Sequence, residues 1–120
     1  MSDRLVFSNA NELISVPSAK VIFVEADGNY SSLFMADGDY FVLTIQLGQI
    51  ERKMAEMDNV GENIFIRIGK SLIVNRDYIT YINPARQKLV LSDCQKFRRE
   101  LSASREALKT LKDFLEKDVK

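Results

Sequence analysis

Short runs of β-branched and aromatic residues, each closed within a few positions by glycine, proline, aspartate or asparagine, dominate this chain. Runs of that length read as strands bounded by turns rather than as helices. Leu13–Val16 stops at Pro17, which cannot donate to a strand ladder. Lys20–Ala26, KVIFVEA, ends at the turn signal Asp27-Gly28. Asn29–Met35 and Tyr40–Ile45 flank Ala36-Asp37-Gly38-Asp39, a hairpin connection. The pattern returns in Ile64–Ile68, Leu72–Val74, Tyr78–Asn83 and Lys88–Ser92, with Asn83-Pro84-Ala85-Arg86 as a turn joining the last two, and again in Gln95–Leu101.

Helical period appears twice. Leu47, Ile50, Met54 and Met57 recur at spacings of three and four, one buried stripe with Glu51, Arg52, Lys53 and Glu56 on the wet face. This helix is expected from Leu47 to Met57, ending near Asp58-Asn59 with Gly61 just beyond. Leu108, Leu111 and Leu115 mark a second helix over Arg105–Lys117, with Ser104 as N-cap and Glu106 in the first turn. Residues 1–11 read as a flexible N-terminal arm and 12–120 as one domain. The fold class is therefore mostly β: eight or more short strands with one internal and one C-terminal helix.

Composition narrows the chemistry. There is no histidine and one cysteine, Cys94, so zinc, haem and Cys–His nucleophile sites lack ligands or partners. No cofactor is expected. Cys94 fits a reducing compartment and reads as a half-buried small apolar residue. Asp27, Asp37 and Asp39 stand beside glycines, where aspartate usually makes turns, so paired-carboxylate catalysis is not suggested and the chain is not read as an enzyme. No apolar run approaches the roughly 18–20 residues of a membrane span, and the N-terminus lacks a basic start and apolar core. A cytoplasmic protein is expected.

Formal net charge is zero, but its distribution is uneven. Residues 1–66 hold four Lys/Arg against ten Asp/Glu, and residues 67–112 hold eleven against four. Such a chain can grip phosphate with one face, or folding can mix the halves into ordinary solvated charge. Three segments sharpen the question. Arg67-Ile68-Gly69-Lys70-Ser71-Leu72-Ile73-Val74-Asn75-Arg76 places three cations among hydroxyl and amide donors. Gly28-Asn29-Tyr30-Ser31-Ser32 sets small polar residues beside an aromatic. Arg98-Arg99-Glu100-Leu101-Ser102-Ala103-Ser104-Arg105 runs basic and hydroxyl residues up to a helix N-terminus, where phosphate is attracted. Each segment alone also reads as a solvated strand, a turn or a helix cap.

Together, the order and spacing of these segments resemble the LytTR DNA-binding domain. The family shows I-x-[FY]-[IV]-E-A-x-G-N-Y, and here stands Val21-Ile22-Phe23-Val24-Glu25-Ala26-Asp27-Gly28-Asn29-Tyr30. It also shows F-x-R-[IC]-H-[RKN]-S-x-[IV]-V-N, matched by Phe65-Ile66-Arg67-Ile68-Gly69-Lys70-Ser71-Leu72-Ile73-Val74-Asn75. Ile79, the Pro84 turn and Arg98–Arg105 fill the later places, so the resemblance spans about residues 12–115.

The resemblance implies stacked antiparallel sheets and loop side chains inserted into successive major grooves of specific promoter DNA. Carried over by position, Ser31, Lys70 and Arg105 would read bases. Tyr30, Arg67, Ser71, Ser102 and Ser104 would be neighbours or phosphate contacts, and Arg99 would share their face. Asn75 reads as structural. Gly69 stands where the family usually has histidine. The implied partners are double-stranded DNA with promoter repeats, with room for a homodimer on it. The family usually carries a receiver or membrane domain before this module. Neither precedes it here, which reads as a stand-alone regulator, a partner-dependent one or a piece of a longer chain. The alternative is a protein-interaction or sensory β module that keeps the scaffold without binding DNA.

Overall fold

Val21–Val24 and Leu72–Val74, apolar runs with no polar interruption, are buried along their whole length. A strand covered on both faces has no reason to alternate, and these two occupy the centre of the largest sheet. The structure is a computed structural model that describes residues 4–57 and 64–118. Its main sheet contains β3 (Val21–Asp27), β4 (Tyr30–Met35), β5 (Tyr40–Leu43), β6 (Phe65–Ile68) and β7 (Leu72–Asn75), in the antiparallel order β5-β4-β3-β7-β6.

One face of this sheet presents Val24, Leu33, Met35, Leu43 and Ile73 to a first core. That core is closed by the hairpin β1 (Arg4–Ser8) and β2 (Leu13–Pro17), through Leu5, Phe7, Ile14 and Val16, and by α1 (Leu47–Met57), through Leu47, Ile50 and Met54. The other face presents Phe23, Ile68, Leu72 and Val74 to a second core. There the sheet β8 (Ile79–Asn83), β9 (Lys88–Ser92) and β10 (Arg98–Ser102) and the helix α2 (Arg105–Asp118) supply Leu89, Leu91, Leu101, Leu108 and Leu111. Ile22 and Phe23, although adjacent, both serve the second core. A register shift between Val21 and Phe23 makes this possible, because a bulge breaks the period of two.

The expected fold class is the observed one, and α1 keeps its expected bounds. Where α1 was expected to end, near Asp58-Asn59 and Gly61, lies outside the described residues. Ser104 caps α2 as its sequence suggests, with Oγ accepting from the Ala107 N–H at 3.1 Å.

Three expectations need correction. Residues 1–11 are not a loose arm over their described part. Arg4–Ser8 pairs along β2, and Leu5 is fully buried. The polar text between the strands is a turn in which the Asn9 side chain accepts from the N–H groups of Asn11 and Glu12, a local signal that polar composition conceals. The strand expected from Gln95 begins only at Arg98. Before it, the Asp93 carboxylate accepts from the N–H groups of Gln95, Lys96 and Phe97, holding Lys96 in a loop. Within that loop Cys94 is exposed at φ +62°, not half-buried.

Candidate nucleic-acid interface

Two turns share one end of the main sheet. The β3–β4 turn closes Asp27 against Tyr30 through Gly28, which sits at φ +64°. The β6–β7 turn, residues 69–71, lies beside it, because Glu25 pairs with Leu72 and the Ala26 N–H donates to the Ser71 carbonyl at 2.8 Å. The two family-like motifs, far apart in sequence, thus end side by side. Gly69 adopts φ +60°, a left-handed conformation that side chains with a Cβ resist.

Every carbonyl of the 69–71 turn has a donor. Ser71 is served by Ala26, and the other two by Arg67, whose Nε donates to the Gly69 carbonyl at 3.1 Å and Nη2 to the Lys70 carbonyl at 3.3 Å. The third nitrogen, Nη1, donates to Glu51 Oε1 at 2.7 Å, tying the turn to α1. Arg67 is therefore engaged on the protein itself, as an immediate neighbour of Lys70. Lys70 and Ser71 are exposed, and among the described residues the Lys70 ammonium has no ion-pair or hydrogen-bond partner.

The β3–β4 turn behaves differently from expectation at one residue. Tyr30 is 52% exposed, but Ser31 is fully buried and its hydroxyl donates to the Ile45 carbonyl at 2.9 Å. Alternation along β4 explains this. Residues 31, 33 and 35 face the first core, while Tyr30, Ser32 and Phe34 face the other way. In this structure Ser31 cannot reach a base, and its expected reading role is withdrawn.

The remaining residues belong to the β10–α2 layer. Ser102 and Ser104 are exposed, and Arg105 is the exposed first residue of α2, without a partner among the described residues. The segment before it is bracketed by the β8–β9 turn: the Ala103 N–H donates to the Gln87 carbonyl at 3.4 Å, and Gln87 Nε2 donates to the Ala103 carbonyl at 3.5 Å. Gln87 holds φ +55°, an uncommon conformation for a residue with a side chain. Phe114 of α2 lines a cavity with Phe65 and Ile66 at the start of β6, the strand end opposite Lys70. Arg105 lies at the other helix end, nine residues or about 13.5 Å away.

Arg99 is exposed but not loose. Its guanidinium stacks 4.8 Å from the Phe34 ring centroid and 5.5 Å from that of Phe23, and those two rings are themselves stacked at 4.3 Å. Cation–π stacking fixes the plane of the group and leaves its edge free to donate. Asn75 is fully buried: Nδ2 donates to the Val21 carbonyl and Oδ1 accepts from the Asp77 N–H, both at 2.9 Å. Sequence reasoning missed Glu51, which its helix pattern assigned only to a wet face, and the Gln87–Ala103 bracket, since no periodicity signals a contact between two loops.

No group of three or more His, Cys, Asp or Glu among the described residues could hold a metal ion. No helix among them is long and apolar enough to cross a membrane.

No curated protein matches the chain. Among solved structures, it is similar to the LytTr DNA-binding domain of a protein from Bacillus cereus described as a methyl-accepting/DNA response regulator. That match has 22% identity and a TM-score of 0.64, and covers 96% of this chain and 97% of that one. At that identity the likeness carries the fold alone. The family model of the LytTr DNA-binding domain matches residues 11–116, nearly the whole chain, and the chain belongs to that family of DNA-binding domains.

Proposed function

We propose that this domain belongs to a bacterial transcriptional regulator and reads specific promoter DNA, with Lys70 entering a major groove from the β6–β7 turn and Arg105 entering another from the start of α2. The observation that carries the reading is the β6–β7 turn. Its carbonyls are all held, and it displays an exposed ammonium with no partner among the described residues. A fixed backbone lowers the ordering cost of binding, and lysine can donate to guanine O6 and N7. Tyr30, Ser71, Ser102, Ser104 and Arg99 are exposed and fit phosphate or flanking contacts. The reading puts the protein in the cytoplasm, with promoter repeats as its target and a homodimer as one way of occupying them.

Selection of genomic fragments on the purified domain should yield a preferred site. Lys70→Ala and Arg105→Ala should each weaken binding to that site by roughly one to two decades at fixed salt. Affinity should fall steeply as salt rises, through counterion release. If both substitutions leave affinity unchanged, the contact assignment is wrong.

One feature favours the protein-interaction alternative. The edge strand β5 exposes Tyr40 at 56% and Val42 at 49%. A domain that selects no DNA fragment would support that alternative.

A further inference from the structure

Resting on the DNA-reading role of Lys70, we infer that Arg67 and Glu51 form a positioning couple that sets base preference without touching DNA. The case begins with the donor geometry. A guanidinium offers five N–H groups in a rigid plane, and here three nitrogens are spent on three acceptors from two elements: the Gly69 and Lys70 carbonyls and the Glu51 carboxylate. The two carbonyls flank the peptide that carries the Lys70 side chain. Holding both fixes the direction in which that side chain leaves the turn.

Glu51 orients the fork from behind. It sits on α1, which packs on the first core through Leu47, Ile50 and Met54, so the reference point is rigid. The Arg67 and Glu51 side chains are 30% and 48% exposed, so the ion pair itself adds little stability. Its consequence is geometric. Misplacing a donor relative to a base edge costs discrimination even when the fold is unchanged.

The sign of one substitution separates this inference from simple electrostatics. Glu51→Gln removes a negative charge beside the proposed DNA surface. By charge alone, every DNA sequence should then bind more tightly. Positioning requires instead that preference at one base pair declines.

The test measures binding of the parent, Lys70→Ala, Arg67→Lys and Glu51→Gln domains to a selected site and its single-base variants at fixed salt. The base pair read by Lys70 is the one whose preference Lys70→Ala flattens. Arg67→Lys should reduce preference at that same pair roughly tenfold and Glu51→Gln a few-fold, with other positions retained. Neither should reduce it further in the Lys70→Ala background. Backbone order parameters of residues 69–71, read by NMR relaxation in the absence of DNA, should fall in both variants, a readout that keeps the inference exposed if Arg67→Lys folds poorly.

A uniform change across all sequences, or unchanged order parameters in the turn, would overturn the inference while leaving the function proposed above intact. A parent domain without site preference, or Lys70→Ala without effect, would defeat both.

Discussion

Replacing Asn75 tests the joint between the two cores. This buried side chain ends β7, and its amide bridges the first residue of β3 to the turn that leads into β8. Asn75→Ala removes two hydrogen bonds, of which the one accepted from the Asp77 N–H contributes about 1 kcal/mol net. It also leaves the carbonyl of Val21, a fully buried residue, without this donor, at a cost of about 1–3 kcal/mol, while the exposed Asp77 N–H can turn to water. The expected destabilisation is about 2–4 kcal/mol. At about 4 °C per kcal/mol for a chain of 120 residues, the melting temperature should drop by roughly 8–16 °C.

Asn75→Asp sharpens the test. It keeps the acceptor for Asp77 but turns a carboxylate oxygen toward the Val21 carbonyl, so at neutral pH it should be worse than alanine. Burial without a donor raises the folded-state pKa of that carboxyl. Stability is then present below the unfolded carboxyl pKa and lost as pH rises through the folded one. The Asp variant should therefore recover relative to the parent as pH falls. Thermal melts followed by circular dichroism across pH decide the matter. Variants melting within about 4 °C of the parent at neutral pH would refute the assignment of Asn75 as a buried tie.

Ser31→Ala should cost about 1–2 kcal/mol through the lost bond to Ile45, with base preference of the folded domain unchanged; altered preference with unchanged melting would restore Ser31 as a reader. Gly69→Ala should cost about 1–2 kcal/mol, since the turn needs φ +60° while open space surrounds the new Cβ; an unchanged melting temperature would mean that the turn relaxes freely. Three backbone N–H groups hold the Asp93 carboxyl below its ordinary pKa, so their stabilisation is present above the usual carboxylate range and lost as pH falls through the folded value. Asp93→Asn should accordingly flatten the acid limb of a melting-temperature profile below about pH 4, and an unaltered limb would contradict that.

What the sequence determined by itself was local and periodic. Turn residues between short apolar runs specified the strands, and spacings of three and four specified α1 and α2. Lys70 stands exposed in the β6–β7 turn and Arg105 exposed at the start of α2. Tertiary structure decided which side chains on the family-like segments remain available. Ser31 and Tyr30 are neighbours in sequence, yet the strand pleat sends one into the first core and leaves the other in solvent. Arg67 and Lys70 look alike as cations, but Glu51 from a distant helix engages the first and nothing described engages the second. Leu5 looked like part of an arm because its partner strand lies across a polar turn. Periodicity records the environment of a segment along its own axis. Burial and pairing depend on what another segment brings to that place, and only the folded chain supplies it.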